Sequence, residues 1–357
     1  MKKKSIAFIL PDLNKGGAEK ITTLLANELV STTDFMVYLI LMRKEGPLLE
    51  ELSKNVTIIN LGVTRIRQSM VKILQTIIKY KFNLVFCGYG EVNAFLSPFI
   101  PFFRKTRFIA RETNIVSQHV TRKEILFFYR FYNNYSTIIA QSNDMEHDLI
   151  KNLGIKQEKI VKINNPIDLE KIDFQLAQNQ EICFDSTQKN VVAVGNLSYR
   201  KGFDNLLKVF SYLKNESIHL HIIGDGPQKE EFLALKEKLG LNKVHFLGLK
   251  TNPYPFMQQA DLFVLSSRYE GFPNVLLEAG ACGTYVLANH CKGGINEIIL
   301  DKINGEIASI ENHKEFAEKI KEILSINKNE SAIKKSISDR YSKEIILKKY
   351  IKLFKAQ

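Results

Sequence analysis

Short apolar runs and longer amphipathic stretches alternate along this chain, pause at a polar interval, and then start again, a rhythm that few folds accommodate. In the first half, residues 5–10, 35–41, 56–61, 84–87, 107–110 and 137–140 have the length and the apolar, β-branched content of buried strands, and residues 18–30, 66–80 and 123–133 between them have helical periodicity. Strands without a polar face need cover on both sides, and the intervening helices supply it, so a parallel sheet between helical layers is expected. After a polar stretch at 173–189 the same grammar returns: strand 190–195, helix 203–213, strand 218–223, helix 228–239, strands 244–247 and 262–266, helix 275–281 and strand 285–288. The chain therefore reads as α/β, with two Rossmann-like, doubly wound domains at 1–167 and 168–341. Its 357 residues suit two cores of that size. Pro166 holds Asn165 extended and marks the joint. The last stretch, 342–357, carries Ile345, Ile346, Tyr350, Ile351 and Phe354 at helical spacing and is expected to pack back on the first domain.

Composition excludes several classes. The four cysteines, Cys87, Cys183, Cys282 and Cys291, form no Cys-x-x-Cys pair, so a reduced, cytoplasmic chain without disulfides or structural zinc is expected. Met1-Lys2-Lys3-Lys4 leads into an apolar run that stops at Leu10-Pro11, too short for a secretory signal. The longest apolar run, 95–103, is broken by Pro98 and Pro101 and falls short of the roughly 18 residues of a spanning helix. The net charge of +12 is lopsided: residues 1–167 hold 24 Lys+Arg against 14 Asp+Glu, a charge of +10, whereas residues 168–357 hold 26 against 24, a charge of +2. The first half is thus expected to meet an acidic partner, which charge alone leaves open among nucleic acid, anionic lipid and a phosphorylated substrate.

Four turns follow strands and precede helices, the edge at which open α/β sheets bind ligands. Asn14-Lys15-Gly16-Gly17-Ala18-Glu19 lets backbone N–H groups approach an anion at a helix start, but lacks the Gly-x-Gly-x-x-Gly spacing of a dinucleotide site. Gly195-Asn196-Leu197-Ser198-Tyr199-Arg200-Lys201-Gly202 offers Arg200 and Lys201 to a diphosphate, and Gly224-Asp225-Gly226-Pro227 turns at the same edge. Each of these alone is adequately read as a plain turn. The segment from Ser267 to Ala279 carries more: Glu270 in a Gly271-Phe272-Pro273 loop, a helix starting near Asn274 and Val275, and Glu278 about one turn in. Helix-start N–H groups suit a diphosphate, and carboxylates accept hydrogen bonds from sugar hydroxyls.

Assembled in this order, the residues resemble family 4 of the retaining glycosyltransferases, of GT-B fold. The likeness covers nearly the whole chain: Gly16-Gly17-Ala18-Glu19, Asn165-Pro166-Ile167-Asp168, Gly195 to Phe203, Gly224 to Pro227, and two glutamates with seven residues between them, Glu270 and Glu278. The resemblance implies two facing Rossmann-like domains with a cleft between them and a nucleotide-sugar held mostly by the second. By it Glu278 would bind the ribose, Glu270 the donor sugar, and the backbone of Phe272 to Val275 the diphosphate and sugar; Gly16, Gly17, Gly195, Gly224, Gly226 and Gly271 would border the donor. Lys201 matches the family's phosphate-binding lysine, whereas the usual partner arginine falls at Asn196, and Arg200 is expected to compensate. Where many relatives place a histidine near the donor sugar, this chain has Glu112, with His119 as the alternative and Arg111 and Asn114 beside it on the acceptor side.

Breaking an anomeric bond leaves negative charge on the departing diphosphate, so Lys201, Arg200 and the helix start are the expected stabilisers, with Glu270 and Glu112 as the other catalytic candidates. No Asp-x-Asp occurs, so a metal-independent reaction without cofactor is expected, the nucleotide-sugar, UDP-linked by family habit, being a co-substrate. A lipid-linked or oligosaccharide acceptor of bacterial surface polysaccharide or lipopolysaccharide assembly is implied, with an anionic membrane surface as partner and a peripheral position on the cytoplasmic face of the inner membrane. Arg65, Arg67, Lys72, Arg104, Lys105, Arg107, Arg122 and Lys123, with Phe127, Phe128, Tyr129, Phe131 and Tyr132, could form that contact or could be ordinary charged faces and helix core. Two rivals stand: a GT-B-type nucleotide-sugar epimerase, and a basic nucleic-acid-binding protein, which is disfavoured for want of any helix-turn-helix, zinc-finger or RNP signature.

Overall fold

Ser5–Leu10 is buried along its whole length, as a strand covered on both faces must be. In the computed structural model, which describes residues 3–14, 16–178, 184–185 and 187–356, this strand (β1) lies inside a seven-stranded sheet. Met1, Lys2, Lys15 and Cys183 lie outside the described residues. The sheet's other members are β2 (Met36–Leu41), β3 (Thr57–Asn60), β4 (Leu84–Cys87), β5 (Arg107–Arg111), β6 (Thr137–Ala140) and β7 (Ile160–Lys162), in the order β3-β2-β1-β4-β5-β6-β7. Every pairing is parallel. Side chains alternate across it: Ala7 and Ile9 face a core with Ile73 and Ile77 of helix Ile66–Tyr80, while Ile6, Phe8 and Leu10 face a second core. Ile346, Leu347, Tyr350 and Phe354 of helix Lys343–Lys355 complete that second core. Arg107 donates to the carbonyls of Leu353 and Ala356 and so caps the end of this helix.

A second sheet holds β8 (Lys189–Val194), β9 (Ile218–Ile223), β10 (Val244–Gly248), β11 (Leu262–Leu265), β12 (Val286–Asn289) and β13 (Gly305–Ala308), in the order β10-β9-β8-β11-β12-β13. It too is parallel throughout. Strand order reverses between β1 and β4 in the first sheet and between β8 and β11 in the second, the points at which loops diverge and ligands bind. The chain divides into two compact units, Met1–Pro166 with Ile346–Gln357, and Ile167–Ile345. Within the second, Ile167 forms a parallel bridge with Ser342, so the outgoing and returning chain are tied together. No helix among the described residues is long and apolar enough to cross a membrane.

Two departures from the sequence reading have local causes. The expected helix at 123–133 divides into an α-helix, Lys123–Phe128, and a 3₁₀ segment, Tyr129–Asn134. The tighter winding puts residues three apart on one side, and so turns both Tyr129 and Tyr132 inward. Strand β7 escaped notice because it is only three residues long and sits at the sheet edge, with Val161 and Lys162 exposed.

Strands β9 and β10 carry three stacked imidazoles, His219, His221 and His245. His219 Nδ1 lies 3.0 Å from His245 Nε2, His221 Nε2 lies 3.0 Å from Asn190 Oδ1, and Phe184 stacks on His221. Burial, and then the neighbouring imidazoles, push His221 down to about 4, and His245 is lowered by burial, His219 and Lys236. The unfolded chain takes up these protons near 6.5 and the folded chain does not, so stability is full above that value and falls as pH drops toward 4. Denaturant unfolding of the second unit should therefore lose about 3 kcal/mol between pH 7 and pH 4, a loss that His221→Gln reduces.

Candidate functional site

The residues singled out from sequence fall into two groups, one in each unit. In the second unit, the turns that leave β8 and β11 meet at the strand-order reversal. Glu270 is 5% exposed, and its carboxylate draws three donors. Lys201 Nζ is 2.6 Å and Ser267 Oγ 2.7 Å from Oε1, and Arg200 Nη1 is 2.8 Å from Oε2. Burial alone would raise the Glu270 carboxyl, but the charges of Lys201 and Arg200 and the hydrogen bonds of Lys201 and Ser267 outweigh it and hold it below the usual carboxylate range. The result is a fixed cluster with one net positive charge, in which each cation keeps further N–H donors.

Several side chains that the sequence reading did not name build this cluster. Arg268 pairs in bidentate fashion with Asp204, at 2.8 and 2.7 Å, and donates to the Tyr199 carbonyl at 2.7 Å while lying over the Tyr199 ring. It therefore clamps the Arg200-Lys201 turn, whose Arg200 carbonyl also accepts from the Arg268 backbone N–H. On the other side, Glu270 donates its backbone N–H to the Lys292 carbonyl, and the Gly271 carbonyl accepts from Gly294. A Cβ at Gly294 would lie 2.1 Å from the Phe272 ring, so the Lys292-Gly293-Gly294 turn must be glycine to let the Glu270 loop down. That turn follows strand β12 and precedes a helix, so the sequence carried the same strand-turn-helix signal as the four turns that were noticed.

Helix Asn274–Ala281 starts four residues after Glu270, and Pro273 at its N-cap supplies no side-chain cap. Phe272 is buried, its ring packed edge-on against Tyr341, so only its backbone can serve a ligand. Pro273 is likewise buried, and Asn274, Val275 and Glu278 are half-buried. Gly195, Gly224 and Gly226 bring two turns into backbone contact: a Cβ at Gly224, which has φ of +148°, would lie 1.9 Å from the Gly195 carbonyl oxygen. Lys201's stem packs over Gly195, and Asn196 is exposed.

In the first unit, Arg111 and Glu112 are adjacent, both buried, and differently satisfied. Arg111 donates through Nε to the Tyr350 hydroxyl at 3.0 Å and through Nη2 to Asn165 Oδ1 at 2.7 Å. It was expected on the acceptor side; at 1% exposure it is instead an internal tie for the C-terminal helix. Glu112 accepts at Oε1 from Asn93 Nδ2, at 3.2 Å, and from the Tyr132 hydroxyl, and at Oε2 from the Tyr129 hydroxyl, at 3.4 Å. Burial outweighs these bonds and pushes its carboxyl up to about 7. Glu112, Asn114 and exposed His119 border one cavity of ≈ 200 Å³. Gly17 opens helix Gly17–Thr32, and a Cβ at Gly16 would overlap the Glu19 carboxylate, which folds back over the helix start.

Of the basic and aromatic residues expected at a surface contact, Tyr129 and Tyr132 are core, Lys72 donates to the Leu61 carbonyl at 2.7 Å, and Arg122 pairs with Glu91 at 2.8 Å. Phe128 packs edge-on against Phe95. Arg65, Arg67, Arg104, Lys105, Lys123 and Phe127 lie exposed.

Two doubly wound parallel-sheet units with a charged, helix-flanked turn cluster at a switch point define a GT-B glycosyltransferase fold. The profile described as "Glycosyl transferases group 1" matches residues 175–340, and that for "Glycosyltransferase Family 4" matches residues 15–171. The chain belongs to glycosyltransferase family 4. It is 28% identical over 248 residues, 66% of this chain and 67% of that protein, to the N-acetylgalactosamine-N,N'-diacetylbacillosaminyl-diphospho-undecaprenol 4-alpha-N-acetylgalactosaminyltransferase of Campylobacter jejuni. It is 28% identical over 222 residues, 59% of this chain and 58% of that protein, to the N,N'-diacetylbacillosaminyl-diphospho-undecaprenol alpha-1,3-N-acetylgalactosaminyltransferase of the same organism. The chain thus spans about two thirds or less of these relatives' length. Among solved structures it superimposes on a glycosyltransferase from Rickettsia africae, with TM-score 0.82, 19% identity, and coverage of 99% of this chain and 98% of that one. HepE of Anabaena in complex with UDP gives TM-score 0.81 and 20% identity, covering 98% of this chain and 99% of that one. At those identities the likeness is one of fold.

Replacing Glu270 by Gln should leave Lys201 and Arg200 facing one another without a counter-ion. Because Arg200 can rehydrate, the expected cost is on the order of 3 kcal/mol, at the low end for a broken buried pair. Denaturant unfolding of the variant measures it; an unchanged midpoint would show that the cluster does not support the turn.

Proposed function

We propose that this protein is a retaining glycosyltransferase that moves a hexose or N-acetylhexosamine from a nucleotide-diphosphate sugar, UDP-linked, to a glycan acceptor in bacterial surface polysaccharide or lipopolysaccharide assembly. The observation that carries the reading is the Glu270-held pair of cations, Lys201 and Arg200, in the second unit, with the start of helix Asn274–Ala281 four residues along the same loop. A departing diphosphate gains one negative charge, on the oxygen that bridged to the sugar, as the anomeric bond breaks. Fixed cations and oriented N–H groups stabilise that charge without reorganising. Glu270 Oε2 has a single partner and so keeps a lone pair for a donor-sugar hydroxyl, while half-buried Glu278, on the helix, suits the ribose. Phe272 to Val275 offer backbone, and in the first unit Glu112, Asn114 and His119 line a polar cavity of their own.

The names of the relatives support this reading. The two Campylobacter proteins are described as acting on diphospho-undecaprenol-linked sugars, and HepE binds UDP. We take the acceptor of this chain to be lipid-linked as well. Exposed Arg65, Arg67, Arg104, Lys105 and Lys123, with Phe102 and Phe127 exposed among them in sequence, suit an anionic membrane surface on the cytoplasmic face.

A thermal-shift screen of the full chain across UDP-, GDP- and TDP-sugars tests the donor, since a ligand bound only by the folded state raises the melting temperature. A UDP-sugar should give the largest rise, and UDP release from it should require added acceptor, continue in EDTA, and occur on anionic vesicles from which salt detaches the chain. No shift with any nucleotide-sugar would contradict the reading; turnover without acceptor would favour an epimerase.

A further inference from the structure

Helix Lys343–Lys355 carries its charge differently from the two helices before it. On helices His313–Ser325 and Glu330–Tyr341, lysines are answered by acids one turn away: Lys319 by Glu322, Lys321 by Glu318 and Lys334 by Glu330. On the last helix only Lys343 is answered, by Asp168 and Glu170. Lys348, Lys349, Lys352 and Lys355 lie exposed, and among the described residues none of them forms an ion pair. Lys352 stands three or four residues from each of the others, the spacing at which like charges on a helix repel. The helix forms in spite of this because Ile346, Leu347, Tyr350 and Phe354 are buried in the first unit's core. The helix dipole accounts for cations in the last turn, Lys352 and Lys355, but does not reach Lys348 and Lys349.

This lysine stripe runs into an open groove of ≈ 600 Å³, lined by Lys355, by Lys3 and Lys4 at the start of β1, and by residues 32–35 between helix Gly17–Thr32 and β2. Lys3 and Lys4 are also exposed and, among the described residues, form no ion pair. Asp34 is thus the single acid beside three lysines, and half-buried Phe35 adds apolar surface. The stripe and groove hold no arginine and no exposed aromatic ring, the side chains that read and stack nucleic-acid bases.

A bilayer is the other anion in reach, and the sheet keeps it away. Ile6, Phe8 and Leu10 pack toward the last helix, whereas Ala7 and Ile9 pack toward helix Ile66–Tyr80, so the two helices cover opposite faces of the first sheet. Arg65, Arg67, Phe102 and Phe127, the residues given above to the membrane, belong to elements on the side of helix Ile66–Tyr80. Helices roughly 10 Å across on each side of a sheet hold the outer surfaces more than about 20 Å apart. A bilayer's surface potential fades within a Debye length of about 8 Å, so one flat membrane cannot serve both sides. We propose that the lysine stripe of the last helix, continued by Lys3 and Lys4 into the groove, docks an acidic segment of a partner protein. A concave groove seats a chain segment better than it seats a plane, Phe35 meets an apolar side chain of that segment, and carboxylates along it neutralise the self-repelling lysines. The inference takes its orientation from the membrane contact proposed for the other side and is independent of the donor chemistry.

Two charge reversals of equal size separate the sides in the full chain: Lys352→Glu with Lys355→Glu on the stripe, and Arg65→Glu with Arg67→Glu on the opposite side. All four positions are exposed, and circular dichroism reports that both variants are folded. At about 150 mM salt, where diffuse charge is screened, a fluorescent octaglutamate peptide should bind the unsubstituted chain, bind the stripe variant about tenfold or more weakly, and bind the Arg65/Arg67 variant unchanged. Phosphatidylglycerol vesicles should instead lose the Arg65/Arg67 variant and keep the stripe variant. No peptide binding at that salt, or equal weakening in both variants, overturns the inference. Loss of vesicle binding in the stripe variant with peptide binding retained also overturns it and turns the stripe toward lipid. Vesicle binding kept by both variants removes the membrane contact alone, since a peptide loss confined to the stripe variant still supports the docking site.

Discussion

One carboxylate fixes two cations at the strand-order reversal of the second sheet, and much of the surrounding loop structure follows from that. Glu270 is too buried to be ionised alone, and Lys201 and Arg200 supply its counter-charges. The cost of bringing them together is met by neighbouring restraints. Arg268 and Asp204 pin one turn, the Lys292-Gly293-Gly294 backbone receives the other, and Asn289 holds the Ser267 carbonyl at 2.9 Å. A buried ion cluster of this kind is weak support for stability, but it fixes the positions of charged groups that would otherwise wander in solvent.

The first unit handles its adjacent buried charges in the opposite way. Arg111 is spent internally, on Tyr350 and Asn165, and thereby ties the C-terminal helix to the end of β5. Glu112, one residue on, points its chemistry at a cavity with one oxygen incompletely satisfied. A strand's alternation explains the division: consecutive side chains leave on opposite faces, so neighbours in sequence serve different cores.

The sheets were legible because strands buried on both faces write uninterrupted apolar runs, as at Ser5–Leu10 and Leu262–Leu265. The donor-side turns were legible because Gly, Pro and paired glutamates after a strand are local signals. What sequence did not reveal is set by contacts between distant segments. Arg268 and Asp204 stand 64 residues apart, and nothing local marks them as a clamp. Gly195, Gly224 and Gly226 were expected to border the donor; what sequence did not show is that they are also where two turns touch. Arg111 looked like a ligand residue because charge in a loop motif carries no mark of burial, which here comes from a helix more than 200 residues later.

The account's central claim is that Lys201, held by Glu270, is a fixed cation for a diphosphate. Calorimetric titration of UDP into the full chain, beside Lys201→Ala, tests it most directly, at a temperature well below the melting transition of both proteins. The claim predicts that the substitution weakens UDP binding about tenfold or more in the folded protein. Equal affinities in the two proteins would contradict it.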